Sequence, residues 1–405
     1  MANSGRIKVA VGCQGGGMHA AFAVGVLKAI LERSKRAPGP KKTEPEFELV
    51  GLSGTSAGAL CALMAWYGLA PIKNGRAGSV DEAIGGLERF WENFVAITGA
   101  ETVLNVLTYG AIRAEESEVP VLGLYAPIFG LNPRGAIYKA FAACLPRLGV
   151  RRDYFDLEDT LAKACREFNS IDWPNVKTRL LIGATEVVNG FETVFDSAVN
   201  QGMGGSKSVS FWHQQLPLSL AGVAASGTLP AFREAQHIPG CGYYWDGLYS
   251  QNPPIRDFVA DYSKAPDEIW VLRINPQQWP GLPETNGEIQ DRENELMGNL
   301  SLNKDLDFIL KVNTWRARFE KENKDIVVEV FGENEVIVRT IKMRKDTADG
   351  LSCASKFDRS PTCMRKLRDE GYAVAKEWLA KWPGVDRYPD DARYPPDARY
   401  PADAR

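Results

Sequence analysis

Histidine is almost missing from this chain. There are three in 405 residues, at His19, His213 and His237, and none follows the last. A multi-histidine metal centre has little to draw on. The cysteines are Cys13, Cys61, Cys144, Cys165, Cys241, Cys353 and Cys363. They are odd in number, form no C-x-x-C pair and stand mostly in apolar contexts. They read as thiols of a reducing compartment, not as a disulfide framework or a zinc site. No run of about eighteen apolar residues occurs, which predicts no membrane span. The opening residues MANSGRIKVAV contain no signal-peptide h-region, so the expected compartment is the cytoplasm. Charge of one sign is lacking too: 48 Lys and Arg face 51 Asp and Glu, a formal net charge of −3. With no basic stripe interleaved with aromatics, nucleic acid is not an expected partner.

What is present is an alternation of strand and helix patterns. The length fits two domains, or one large α/β domain with insertions. Residues 6–13 (RIKVAVGC) read as a buried strand and 18–31 as a helix. Residues 47–52 form the next strand, with an apolar helix directly after the turn that follows. Helices are predicted over 81–97, 134–148 and 216–225, with a further run over 101–112. A buried strand is predicted over 177–185, with 192–196 as its hairpin partner, and another core strand over 268–274. Residues 119–133 are apolar but broken by Pro and Gly, which suits a cover over an apolar site. Beyond 291 come a long charged helix to 323, a hairpin of 325–331 with 335–343, and a last amphipathic helix over 361–382. The end repeats Arg-Tyr-Pro with a period of six from Arg387. Proline in every unit and few aliphatics leave nothing to offset the entropy of ordering it. A chain ending at Asp386 is therefore expected to keep its melting temperature within about 2 °C. A larger drop would instead mean that the tail packs on the fold.

The most informative segment is 47–68, FELVGLSGTSAGALCALMAWYG. An apolar strand breaks into Gly54-Thr55-Ser56-Ala57-Gly58 and a helix starts at once. A serine at the apex of so tight a turn needs small neighbours, because strand and helix pass close to it. It also stands at a helix N-terminus, where the dipole favours developing negative charge. A second turn, Gly15-Gly16-Gly17, joins the first strand to the first helix and offers bare backbone N–H groups to an anion. An acyl-transferring serine needs such donors for the oxyanion of its tetrahedral intermediate. Gly15-x-Gly17-x-x-Ala20 also satisfies the dinucleotide fingerprint. That reading requires a carboxylate near the end of the next strand, which ends instead in Ser53-Gly54-Thr55-Ser56. No Gly-Lys-Ser/Thr completes a phosphate loop.

The base is less plain. An α/β-hydrolase triad places its histidine last, and nothing here allows that, although an unusual triad through His213 or His237 stays open. The alternative is Asp246 in Tyr244-Trp245-Asp246-Gly247-Leu248. A carboxylate against an apolar wall has a raised pKa and suits general-base work near neutral pH. Taken alone, an Asp-Gly pair is more often a plain turn between strands than a base.

Taken in order, these elements resemble the patatin-like phospholipase family, acyl hydrolases with a Ser–Asp dyad. The resemblance covers about residues 6–275. It identifies Gly15, Gly16 and Gly17 as the oxyanion loop, followed by Gly25-Val26-Leu27. Gly54, Thr55, Ser56, Ala57 and Gly58 are the nucleophile motif, and Asp246, Gly247 and Leu248 the acid motif. Ala225-Ser226-Gly227-Thr228-Leu229-Pro230-Ala231-Phe232 is similar to the segment that leads into it. Ser355-Lys356-Phe357 resembles the C-terminal part of some bacterial members. The family has Arg or Lys and then Gly just after its glycines, where His19 and Ala20 stand here, and Gly or Ala where Leu248 stands. The resemblance implies a three-layer α/β/α fold with a mostly parallel central sheet. It implies a catalytic domain over 6–275, with 276–384 packed on it as an extension and 385–405 a disordered tail. The expected function is hydrolysis of fatty acyl esters with Ser56 as nucleophile and Asp246 as base. No metal or organic cofactor is required. The partner is a lipid or other acyl ester, with transient contact at a membrane surface. Head group, chain length and oligomeric state are not read from the sequence. A catalytically silent lipid-binding regulator and a dinucleotide-binding oxidoreductase are the competing functions.

Overall fold

Among the described residues, nine strands, numbered in chain order, form one sheet: β1 (Ile7–Cys13), β2 (Phe47–Thr55), β3 (Arg179–Glu186), β4 (Glu192–Asp196), β5 (His213–Pro217), β6 (Gln236–Ile238), β7 (Gly242–Asp246), β8 (Glu268–Arg273) and β9 (Ile337–Lys342). The computed structural model describes residues 6–35, 47–116, 136–203, 211–261 and 264–387, apart from 74, 231, 232, 280, 322, 323, 333 and 386. The main path runs β5-β4-β3-β2-β1-β8-β9, and β7 pairs with β3 and carries β6. Pairing is parallel from β3 through β2, β1 and β8 to β9, and again between β4 and β5. It is antiparallel at β3–β4, β3–β7 and β6–β7.

A mostly parallel sheet must be covered on both faces, and its strands are accordingly apolar on both sides. Successive side chains point to opposite faces. Val9, Val11, Trp270 and Leu272 therefore enter one core, while Ala10, Ile269 and Val271 enter the other. The first core is closed by helices α1 (Ala21–Ser34), α2 (Ala57–Leu69) and α3 (Val80–Phe94), and by the C-terminal helix Pro361–Lys381. The second is closed by Leu302 and Ile309 of the long helix Asn286–Phe319, with Phe258 and Val259. The result is three layers, α/β/α, as the resemblance implies. The C-terminal helix meets α1 almost backbone to backbone. A Cβ on Gly25 would lie 1.9 Å from the Arg368 carbonyl oxygen, and one on Gly371 2.0 Å from that of Phe22.

The far edge is tied by a buried ion pair. Arg339 of β9 grips Glu268 of β8 with Nε–Oε2 at 2.8 Å and Nη2–Oε1 at 2.9 Å. The indoles of Trp270 and Trp382 also donate to Glu268 Oε2. Both charged side chains are only 3% exposed. Removing one partner leaves an uncompensated buried charge, so Arg339→Ala is expected to lower the urea-unfolding free energy by about 3–5 kcal/mol. A loss under about 1 kcal/mol would show that water reaches Glu268.

Two local expectations are corrected. Residues 325–331 are not half of a hairpin. Lys324–Phe331 is helical, with Phe331 stacked on Phe319 at 6.3 Å, and β9 joins the sheet in parallel beside β8. The Val-rich segment has strand propensity, but packing against the long helix overrides it. Leu216 and Pro217 belong to β5, not to the next helix, Leu220–Ser226. That helix starts only after Ser219, whose side chain accepts from the Gly222 N–H. The predicted cover at 119–133 and the tail beyond Arg387 lie outside the described residues. Among those described, no single helix is long and apolar enough to cross a membrane. The bent pair Val80–Phe94 and Gly99–Arg113 passes on length and composition, but Ala83, Leu87, Phe90 and Trp91 of its first helix are already buried in the protein.

Candidate active site

The C-terminal ends of β2, β1 and β8 lie side by side, the edge where open α/β sheets place their ligands. Each end delivers one part. At β2 the chain turns into α2 within one residue, Ser56, held at φ 56° and ψ −130°. Among the described residues it is the one non-glycine with positive φ. Such a conformation costs about 1–3 kcal/mol and persists only where the surroundings impose it. They do: a Cβ on Gly54 would lie 2.3 Å from the Gly58 carbonyl oxygen, and one on Gly58 2.3 Å from that of Cys13. The Ser56 N–H donates to Ser226 Oγ at 2.9 Å, and Thr55 Oγ1 to the Gln251 carbonyl at 2.7 Å.

At β1 the glycine loop packs against this turn. A Cβ on Gly15 would sit 2.7 Å from Cβ of Ser56 and 2.5 Å from the Thr55 carbonyl oxygen. The Gly15 N–H is already taken by Asn252 Oδ1 at 2.6 Å. Of the three loop amides expected to meet an oxyanion, those of Gly16 and Gly17 have no hydrogen-bond partner among the described residues. Beneath the loop, Gln14 Oε1 accepts from the N–H groups of Ile274 and Asn275 at the end of β8, both at 2.9 Å.

Asp246 ends β7, opposite Ala184 of β3, and is fully buried. Its Oδ1 accepts from the Leu248 N–H at 2.9 Å, so Leu248 still allows the turn to close. Gly247 is needed here, because a Cβ would lie 2.5 Å from the Gly183 carbonyl oxygen. Burial raises the Asp246 pKa and the Ser56 hydroxyl and Leu248 N–H draw it back, leaving it pushed up to about 7. Serine and carboxyl thus sense each other. The contact is looser than a closed hydrogen bond, since Asp246 Oδ2 is buried without a partner. Contacts of this kind tighten when a ligand fills the site.

The histidines stand elsewhere. His213 is buried against Asp257 (Nε2–Oδ1 2.9 Å), and His237 is exposed on Tyr243. His19 is buried beneath the loop with Nε2 2.7 Å from Ser355 Oγ. Ser355 spends its own proton on the Ser352 carbonyl, so His19 donates. Burial, and then the charge of Lys356, hold the His19 pKa well below its usual value and the ring neutral. Among the described residues no group of three or more His, Cys, Asp or Glu could hold a metal. Sequence reasoning missed Ser226 as a partner of the turn, and Asn252 and Asn275 as partners of the loop. The Asn252-Pro253 step and the Ser226 motif were visible, but neither carried a signal of its role.

One similar solved structure is that of full-length SpcU in complex with full-length ExoU from the type III secretion system of Pseudomonas aeruginosa. Identity is 13% over 93% of this chain and 53% of that one, with a TM-score of 0.26, a likeness too slight to carry an argument. The chain spans about half the length of the one it matches there. No curated protein matches it. The pattern of the patatin-like phospholipases matches residues 13–259, from the end of β1 through both the Ser56 turn and Asp246. That is more than half of the chain, which therefore belongs to the patatin-like phospholipase family, whose members hydrolyse lipids.

Proposed function

We propose that the chain is a serine acyl hydrolase acting on fatty acyl esters of lipids, with Ser56 as nucleophile and Asp246 as its base. One observation supports this most: a serine held at positive φ on a strand–helix turn, beside a buried carboxyl whose pKa lies near 7. Ser56 Oγ attacks the ester carbonyl while its proton passes to Asp246. The carbonyl oxygen becomes an oxyanion, held by the N–H groups of Gly16 and Gly17. The tetrahedral intermediate collapses, the C–O bond to the alcohol breaks, and Asp246 returns the proton to that oxygen. Water then repeats the sequence on the acyl-serine. Its proton goes to Asp246, its oxygen to the acyl carbon, and Asp246 reprotonates Ser56 as the fatty acid leaves. A fluorophosphonate probe tests the reading. Covalent labelling at Ser56 is expected, and an intact protein with no label at Ser56 would leave it without a nucleophile.

A further inference from the structure

The glycine loop is held from beyond the region that matches the family. A trans peptide carries its C=O and N–H on opposite sides, so whatever holds one group aims the other. The His19 N–H donates to the Gly16 carbonyl at 3.2 Å, which turns the Gly17 N–H the other way. Asn275 Nδ2 donates to the Gly15 carbonyl at 3.3 Å, which turns the Gly16 N–H the other way. This second grip is long for a hydrogen bond, and it has a cation behind it. Lys356 Nζ donates to Asn275 Oδ1 at 2.9 Å and also to Asn294 Oδ1. An ammonium on the amide oxygen draws electron density from the amide nitrogen and strengthens that group as a donor.

Lys356 is itself pressed into place. Its carbonyl oxygen lies where a Cβ on Gly17 would be, at 2.2 Å, and the neighbouring Ser355 is the residue His19 holds. Burial disfavours its charge, and Glu295 and Asp291 are among the neighbours that restore it. His19, kept neutral, supplies none.

We propose that Lys356 is a positioning residue for the oxyanion loop, acting through Asn275 to fix the Gly15–Gly16 peptide and so aim the Gly16 N–H. The inference rests on reading Ser56 and this loop as the reacting site. It extends the working unit from residue 259, where the family pattern ends, to the turn Ala354–Phe357. Lys356→Met, Asn275→Ala and the double variant test it, each checked for folding by thermal melting. A positioning role in the transition state predicts kcat lower by about tenfold to a hundredfold with KM within about threefold. The rate of fluorophosphonate labelling falls in step, because that reaction also builds negative charge on an oxygen. The double variant falls no further than the worse single one, since one residue acts through the other. If Lys356→Met does not fold, Asn275→Ala alone carries the same expectation, as it keeps the cation and removes only the grip. Folded variants with kcat within about twofold of wild type, or losses confined to KM, or fully additive losses, would overturn the role of Lys356. A wild-type chain that neither labels nor hydrolyses would instead sink the Ser56 reading, and this inference with it.

Discussion

Ser56→Ala is expected to lower turnover of short-chain p-nitrophenyl esters by at least about a thousandfold, because the remaining groups can only bind and polarise the ester. The fold should survive, since alanine fits wherever serine does and loses only the hydroxyl. Ser56→Gly sharpens the point. It removes the nucleophile too, but it relieves a residue held at φ 56°. Its melting temperature should match or exceed that of wild type, while that of Ser56→Ala should not rise. Turnover above about a tenth of wild type in the alanine variant would place the nucleophile elsewhere.

Asp246→Asn should be nearly as damaging. An amide fills the same space and can still accept from the Leu248 N–H, but it cannot take the serine proton. The pH dependence follows from the same group. Asp246 works as a base only when ionised, and its pKa is pushed up to about 7. In wild type kcat/KM should therefore level off above about pH 7 and fall about tenfold per unit below it. The stability sign is opposite. A carboxyl whose folded pKa is raised binds its proton more tightly in the native state. That stabilisation is complete below the ordinary carboxylate range and is lost as pH rises from about 4 to about 7. At pH 8 the wild type holds a buried carboxylate with one oxygen unpartnered, a cost the asparagine variant does not carry as charge. The variant should thus be inactive yet no less stable at pH 8. A melting temperature far below wild type would mean that Asp246 is mainly a structural turn residue. A flat pH profile from 5 to 8 would remove it as the base.

The Ser56 turn was legible in the sequence because its constraint is local. A strained strand–helix turn needs small residues within two positions on either side, and Gly54 and Gly58 stand there. The buried core strands were legible for a similar reason: the segments 6–13 and 268–274 are dominated by apolar residues, which suits a strand covered on both faces. Where propensity alone was the guide, over 325–331, helix packing reversed the expectation. The glycine loop shows the boundary most clearly. Three bare amides could be counted from Gly15-Gly16-Gly17, but not that Asn252, 237 residues away, already takes one of them. Nor could the line from Lys356 through Asn275 to Gly15 be read, which joins residues separated by 81 and then 260 positions. The raised pKa of Asp246 was expected from its apolar neighbours, and its complete burial, which the folded sheet supplies, brings it to about 7. Backbone strain and strand burial are encoded within a few residues. Which amide stays unpaired, and which charge stands behind it, depends on groups that only the folded sheet brings together.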